Sequence, residues 1–155
     1  MIFKLIVCNM HLESYEFSVD RENSIYQFFS LGGNQPLEMM VHFQLIGFNF
    51  YNIAFGMYDH QKQKIDEFAR TRNNDTIKTF STLAAIIYDF TTYHNDSIII
   101  LIGATRSRNR LFRMIISLYF ELINNEYKIY GAYDYKWEKF RPNRDYNSFY
   151  FLRNI

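Results

Sequence analysis

The stretch that most constrains the fold is Ser97 to Glu126, SIIILIGATRSRNRLFRMIISLYFELINNE. Its first part, Ser97 to Ile102, is almost continuously apolar, which predicts a central strand covered on both faces. A turn at Gly103-Ala104-Thr105 follows, and Thr105 to Asn124 has the periodicity of a long amphipathic helix. If the strand predicted at Tyr127 to Tyr133 runs parallel to the first strand, the unit is a right-handed crossover.

The rest of the chain shows mainly strand and turn patterns. Leu37 to Ile46 places apolar side chains at every second position, as in a half-buried strand. Thr76 to Tyr93, with Asp75 as its N-cap, is the other long helix. Further strands are predicted at Met1–Cys8, Glu13–Val19, Ser24–Leu31, Phe48–Met57, Ile65–Thr71 and Tyr146–Leu152. We expect an α+β fold, a mixed, largely antiparallel sheet with two long helices packed on one face, in a single domain spanning residues 1–155.

The charge distribution limits where an anionic partner can bind. The formal net charge of the chain is only +1, too low for a generally basic nucleic-acid-binding protein. Residues 1–60 carry 2 basic and 6 acidic side chains, whereas residues 61–155 carry 15 basic and 10 acidic ones. Any positive surface is therefore expected to be local and to lie in the second half of the chain.

Four arginines lie in the first turns of the helix predicted after the glycine turn: Arg106, Arg108, Arg110 and Arg113. Arg106, Arg110 and Arg113 share one face, about 140° from an apolar stripe of Leu111, Ile115, Leu118 and Leu122, so we expect them to point outward. Cations at this end oppose the helix dipole, which favours anions there. The pattern predicts an anion site formed by Gly103, Thr105 and the four arginines. Solvated arginines, or arginines paired with nearby acids, are the alternative.

A second positive segment follows near the C-terminus, where basic and aromatic residues alternate. Lys136, Trp137, Lys139 and Arg141 form a candidate secondary surface that combines phosphate contacts with base stacking. Tyr133, Tyr135 and Phe140 belong to the same segment. The alternative is that these aromatic residues fill the core, where most aromatic side chains lie.

Other kinds of site have weaker support in the sequence. Cys8 and His11 have CxxH spacing without a second ligand pair, so we predict no metal site and no cofactor. No known catalytic motif is present, which leaves the question of enzymatic activity open. The single cysteine, the lack of a signal peptide and the lack of a membrane-length apolar segment lead us to expect a cytoplasmic protein with no membrane partner.

Several segments resemble an uncharacterised bacterial family, a domain of unknown function found mostly in Bacteroidetes. They are YNIAFG at Tyr51–Gly56, NND at Asn73–Asp75, GATRSRNRLF at Gly103–Phe112 and WEKF at Trp137–Phe140. Met57 stands where the family often has Asp, and Ala104 stands where Ser is common. The resemblance is clearest from Tyr51 onward and implies a shared fold in a bacterial cytosol, but it implies no chemistry.

Three hypotheses about function follow from these observations. The first is a module that binds a phosphate-bearing partner, foremost nucleic acid, through the arginine cluster. The second is a protein-interaction module, with a homodimer as one form, whose exposed aromatic residues make the contact. The third is a toxin-like ribonuclease that needs no metal, in which Arg108 or Arg110 stabilises the phosphorane and a His or Tyr is the base.

Overall fold

The structure is a computed structural model that describes residues 13–69 and 73–154. The strand predicted at Met1–Cys8 and the Cys8–His11 pair lie outside these residues. The helices are α1 (Thr76–Tyr93), α2 (Arg106–Leu118) and α3 (Phe120–Glu126). The strands are β1 (Ser18–Asp20), β2 (Ile25–Ser30), β3 (Leu37–Gly47), β4 (Phe50–Asp59), β5 (Lys64–Asp66), β6 (Ile98–Leu101), β7 (Tyr127–Tyr133), β8 (Lys136–Lys139) and β9 (Phe149–Arg153).

The described strands form one sheet in the order β1-β2-β3-β4-β6-β9-β7-β8, with β5 paired to β4. β4 and β6 are parallel, whereas β2–β3, β6–β9, β9–β7 and β7–β8 are antiparallel. The expectation of a mixed, largely antiparallel α+β fold is therefore confirmed. β7 runs in the same direction as β6 but is not hydrogen-bonded to it, because β9 lies between them.

The described chain divides into two compact units. The first contains the residues up to Phe43 and those from Ala54 to Tyr93, and its core is aromatic. Phe90 of α1 stacks on Phe43 of β3 with ring centroids 3.9 Å apart. Asp75, which precedes α1, accepts hydrogen bonds from the phenol of Tyr15 at 2.6 Å and from the hydroxyl of Ser30. The carboxylate of Asp75, the predicted N-cap of α1, therefore links the helix start to Tyr15 and to Ser30 of β2.

The second unit contains Gln44–Ile53 and the residues from His94 onward. Its central strand is β6, where Ile99 and Leu101 are buried and Ile98 and Ile100 are half-buried. The expected central position of this strand is confirmed, because β4 and β9 flank it. Phe149 and Phe151 of β9, Ile129 of β7, Phe112 and Ile116 of α2, and Phe140 and Tyr146 complete the core.

The helix predicted from Thr105 to Asn124 is divided in the structure. α2 ends at Leu118, Tyr119 adopts a non-helical conformation, and α3 begins at Phe120. The break turns Phe120 toward the core, where its ring stacks on Phe140 at 5.6 Å. The predicted stripe is wrong in detail, because Leu118 is 67% exposed while Phe112 and Ile116 are buried. The continuous helical pattern in the sequence does not show this break, which accompanies the contact between Phe120 and Phe140.

No helix in the described part of the chain combines the length and the apolar character needed to cross a lipid bilayer.

Candidate phosphate and nucleic-acid surface

The turn before α2 uses some of its own hydrogen-bond donors. Thr105 is the N-cap, and its hydroxyl accepts the backbone N–H of Arg108 at 3.1 Å. The amide of Asn109 bonds Gly103 twice, accepting its N–H at 2.7 Å and donating to its carbonyl at 3.3 Å. The N–H and the carbonyl of Gly103 thus bond to Asn109, and the Thr105 hydroxyl oxygen caps the helix, while the anion site predicted at Gly103 and Thr105 stays a prediction. The backbone N–H groups of Arg106 and Ser107 are the helix-start donors that lack an intrahelical acceptor.

The four arginines of α2 fall into three environments. Arg106 and Arg110 are exposed, and neither has an ion-pair partner among the described residues. Arg108 is half-buried. Arg113 pairs with Asp145, and its side chain is only 20% exposed. The first turn of α2 carries no acidic residue.

Arg113 is thus not the outward-facing residue that the helical wheel predicts. The buried residues of α2 are Phe112 and Ile116, so the docked face is rotated away from the predicted leucine stripe. This rotation brings Arg113, which is next to Phe112 in the chain, to the edge of the docked face. There its guanidinium meets the Asp145 carboxylate, and the arginine face that remains available is formed by Arg106 and Arg110.

One loop joins the arginine helix to the β7–β8 hairpin. Asp145 pairs with Arg113 of α2, and the preceding residue, Arg144, reaches the hairpin. The Arg144 guanidinium lies over the Tyr133 ring, 4.2 Å from its centroid, and it pairs with Glu138 at 3.3 Å. The arginine helix and the β7–β8 hairpin are therefore connected through adjacent residues of a single loop.

The strand register places α2 and the hairpin tip at the same end of the sheet. Leu101, the last residue of β6, is opposite Phe149, and Phe149 is opposite Gly131 near the end of β7. α2 begins shortly after Leu101, and the hairpin turns just beyond Tyr133. Three strand spacings of about 4.8 Å separate β6 from β8, which gives about 14 Å across the sheet.

The secondary surface is exposed, as the nucleic-acid hypothesis requires. Lys136, Trp137, Lys139 and Arg141 are all exposed, and Trp137 retains 47% of its accessible area. The Trp137 ring contacts the Tyr150 ring at 4.8 Å and 61°, which supports one side of the indole. Phe140 is a core residue instead, buried against Phe120, Tyr146 and Phe149.

Tyr146 and Glu138 form the support beneath this surface. Tyr146 is buried, donates its hydroxyl hydrogen to Glu138 at 2.7 Å and accepts the backbone N–H of Arg141 at 3.0 Å. Burial, followed by the hydrogen bond to the Glu138 carboxylate, raises the pKa of the Tyr146 phenol. The WEKF segment thus presents Trp137 and Lys139 while it anchors Glu138 and Phe140.

The charges that remain unpaired at this end of the unit are mostly positive. At this end of the unit, five exposed cations have no ion-pair partner in the described part of the chain: Arg106, Arg110, Lys136, Lys139 and Arg141. Two nearby acids, Glu138 and Asp145, are paired with Arg144 and Arg113. Asp134, at the hairpin tip, is exposed and carries the opposing charge. The result is a local positive surface on a chain whose net charge is only +1.

The sequence interpretation missed β8 and therefore the hairpin that carries Trp137. The signal was the segment YDYKW, in which Asp134 and Tyr135 form a two-residue turn between paired Tyr133 and Lys136. Asp is common in such turns, but Tyr in the place of the usual Gly conceals the pattern.

The geometry of the described residues gives no support to a metal site. They contain no group of three or more His, Cys, Asp or Glu side chains placed to hold a metal ion. His60 lies against the Glu38 carboxylate, and the His94 ring packs near Tyr51 at 5.7 Å.

Comparison with known proteins places the chain in one family. Residues 11–154 match the model of a family of unknown function, DUF6934. No curated protein and no solved structure matches the chain. The expected resemblance to a family of unknown function is thus confirmed over almost the full length of the chain. The protein belongs to the DUF6934 family.

Proposed function

We propose that this protein is a small module of the bacterial cytosol that binds a phosphate-bearing partner, nucleic acid in particular. Arg106 and Arg110 are the primary phosphate contacts, and Lys136, Lys139 and Arg141 extend the positive surface. The observation that carries the proposal is the exposed arginine pair at the start of α2, which has no carboxylate partner among the described residues.

The placement of these arginines favours a ligand because it is unfavourable for the helix alone. The N-terminus of a helix carries a partial positive charge, and cations there destabilise it while anions stabilise it. A bound phosphate would reverse this effect, since it pairs with the guanidinium groups and accepts from the N–H groups of Arg106 and Ser107. Arg113 and Asp145 then act as a support that holds the helix start beside the hairpin.

Salt-dependent binding tests this proposal directly. Fluorescence anisotropy with labelled RNA and DNA oligonucleotides of about 12 nucleotides measures affinity at several salt concentrations. The Arg106→Ala/Arg110→Ala double variant should bind about tenfold more weakly at low salt. Because two phosphate contacts are lost, the slope of log affinity against log salt should decrease by about 1.4 for a single strand.

A matched variant controls for the loss of charge alone. Lys62 and Lys64 are exposed cations of the first unit, and Lys62→Ala/Lys64→Ala removes the same formal charge. That variant should retain wild-type affinity and salt slope. Equal binding by the arginine variant and the wild type, or no binding of either nucleic acid by the wild type at low salt, would refute the proposal.

An interaction module remains a second candidate because large aromatic side chains are exposed in this unit. Phe48 is 88% exposed and Tyr135 is fully exposed. A dimer that light scattering detects at both low and high salt, together with no nucleic-acid affinity, would support this function instead. The third hypothesis, a metal-independent ribonuclease, predicts cleavage of the RNA probe in the presence of a chelator and growth arrest on expression.

A further inference from the structure

The β7–β8 hairpin contains a local conformation that its sequence does not favour. The turn has two residues, Asp134 and Tyr135, with φ angles of 50° and 62°. Both angles lie in the left-handed region, as a type I′ turn requires, and the usual second residue of that turn is glycine. A tyrosine there is strained, because its Cβ crowds the following carbonyl oxygen.

Contacts within the described fold do not offset this strain. Tyr135 has a relative exposure of 105%, so its ring packs against nothing in the described part of the chain. Trp137, two residues later, is supported by Tyr150 and is about half exposed. Exposed rings of this size at a strained position are characteristic of surfaces that bind a partner.

The charges next to these rings are positive. Lys136 lies between Tyr135 and Trp137 in the chain, and Lys139, at the other end of β8, is on the same face of the strand as Trp137. β8 is an edge strand of the sheet and carries a lysine at each end. Edge lysines discourage pairing with another strand, and a symmetric contact between two copies would bring these lysines together. The hairpin is therefore better suited to an anionic partner than to a second copy of the chain.

We propose that the hairpin binds the unpaired bases of a single-stranded nucleic acid. Bases stack on Tyr135 and Trp137, Lys139 on the Trp137 face of β8 contacts the phosphates that connect them, and Lys136 adds positive charge at the hairpin tip. Only unpaired bases can expose a ring face to a side chain, so the bases inside a duplex cannot stack on Tyr135 and Trp137. The inference rests on the proposed function and specifies the strand state of its ligand, with the α2 arginines contacting phosphates at the same end of the sheet.

Two variants test the stacking contacts by anisotropy with a labelled single strand and the matching duplex. Trp137→Ala should weaken single-strand binding about tenfold, because stacking of a base on an aromatic side chain contributes strongly to affinity. Tyr135→Gly should weaken it by a similar factor. The second substitution creates Asp-Gly, the favoured pair for this turn, so its midpoint of urea unfolding should rise. Weaker binding by a more stable variant cannot result from unfolding.

Phe48→Ala is the matched control. Phe48 is an exposed aromatic residue of the same unit in the β3–β4 turn, outside the hairpin, and its loss should leave affinity unchanged. The wild type should bind the single strand more tightly than the duplex. Trp137→Ala and Tyr135→Gly should weaken single-strand binding, and Phe48→Ala should not.

The outcomes separate this inference from the proposed function. If Arg106→Ala/Arg110→Ala weakens binding but Trp137→Ala and Tyr135→Gly do not, the phosphate surface stands and the stacking inference is wrong. Equal affinity for duplex and single strand would also overturn the inference. If the wild type binds neither nucleic acid, both proposals fail. A dimer that dissociates in Trp137→Ala would assign the hairpin to self-association and overturn the inference.

Discussion

The ring of Tyr146 lies directly across the backbone of Gly131. A Cβ atom at residue 131 would lie 2.5 Å from Cγ of that ring, closer than real Cβ atoms approach other heavy atoms. Gly131 is in the interior of β7, where glycine lowers strand stability, so the close packing explains its presence. The same contact positions the Tyr146 hydroxyl against Glu138 and the backbone N–H of Arg141.

We therefore expect Gly131→Ala to destabilise the protein by about 1–3 kcal/mol, because the buried tyrosine ring must move. Urea denaturation followed by tryptophan fluorescence measures the change in the free energy of unfolding. Gly47→Ala is the control: a Cβ there meets only Phe50, at 3.9 Å, so the change should be neutral or slightly stabilising. An unchanged stability of Gly131→Ala would contradict the packing described here.

Alkaline pH should destabilise the protein through its buried tyrosines. Tyr26 is 1% exposed and donates to Asp89 at 2.7 Å. Burial, followed by the hydrogen bond to Asp89, raises the pKa of the Tyr26 phenol well above 10. The unfolded chain releases this proton near pH 10 while the folded chain retains it, so stability is constant below pH 10 and falls above it.

Tyr26→Phe isolates this contribution. At pH 8 the variant should be about 1–2 kcal/mol less stable, because it lacks the hydrogen bond to Asp89. Above pH 10 the difference from the wild type should narrow by about 1.4 kcal/mol per pH unit. Urea denaturation at pH values from 8 to 11 measures both effects, and a constant difference over that range would contradict the assignment.

Asn109→Ala should destabilise the start of α2. The Asn109 amide satisfies both the N–H and the carbonyl of Gly103, which is buried. Its removal leaves these groups without their partner, and we expect a loss of about 1–3 kcal/mol in the free energy of unfolding. Ser107→Ala, at an exposed position of the same turn, should change stability by less than about 0.5 kcal/mol. Similar values for the two variants would show that Asn109 has no such role.

Much of the secondary structure could be predicted from local patterns. The predicted bounds of α1, Thr76–Tyr93, and of β7, Tyr127–Tyr133, match the structure. The strands from Leu37 to Met57 were predicted to within a few residues, because alternation and turn residues act over short distances. The break at Tyr119 was missed, since it depends on the packing of Phe120 against Phe140, which lies far along the chain.

The candidate site was predicted only as two separate groups of residues. Sequence spacing located the arginines on the helix and the basic aromatic segment near the C-terminus. It could not predict that Arg113 pairs with Asp145, which is 32 residues away, or that Arg144 covers Tyr133. The contact between Arg113 and Asp145 depends on which face of α2 packs against the unit, and that face is the one with Phe112 and Ile116.

The sequence by itself thus determined the α+β class, the central strand at β6, the helix that begins after Thr105, and the concentration of positive charge in the second half. Each of these follows from periodicity, turn residues or a count of charges, which are local properties of the chain. Only the tertiary structure decided which arginines remain exposed and that the hairpin lies at the same end of the sheet. The physical reason is that burial and strand register bring together residues that are distant in sequence. Burial of Phe112 and Ile116 leaves Arg106 and Arg110 exposed, whereas Arg113 pairs with Asp145.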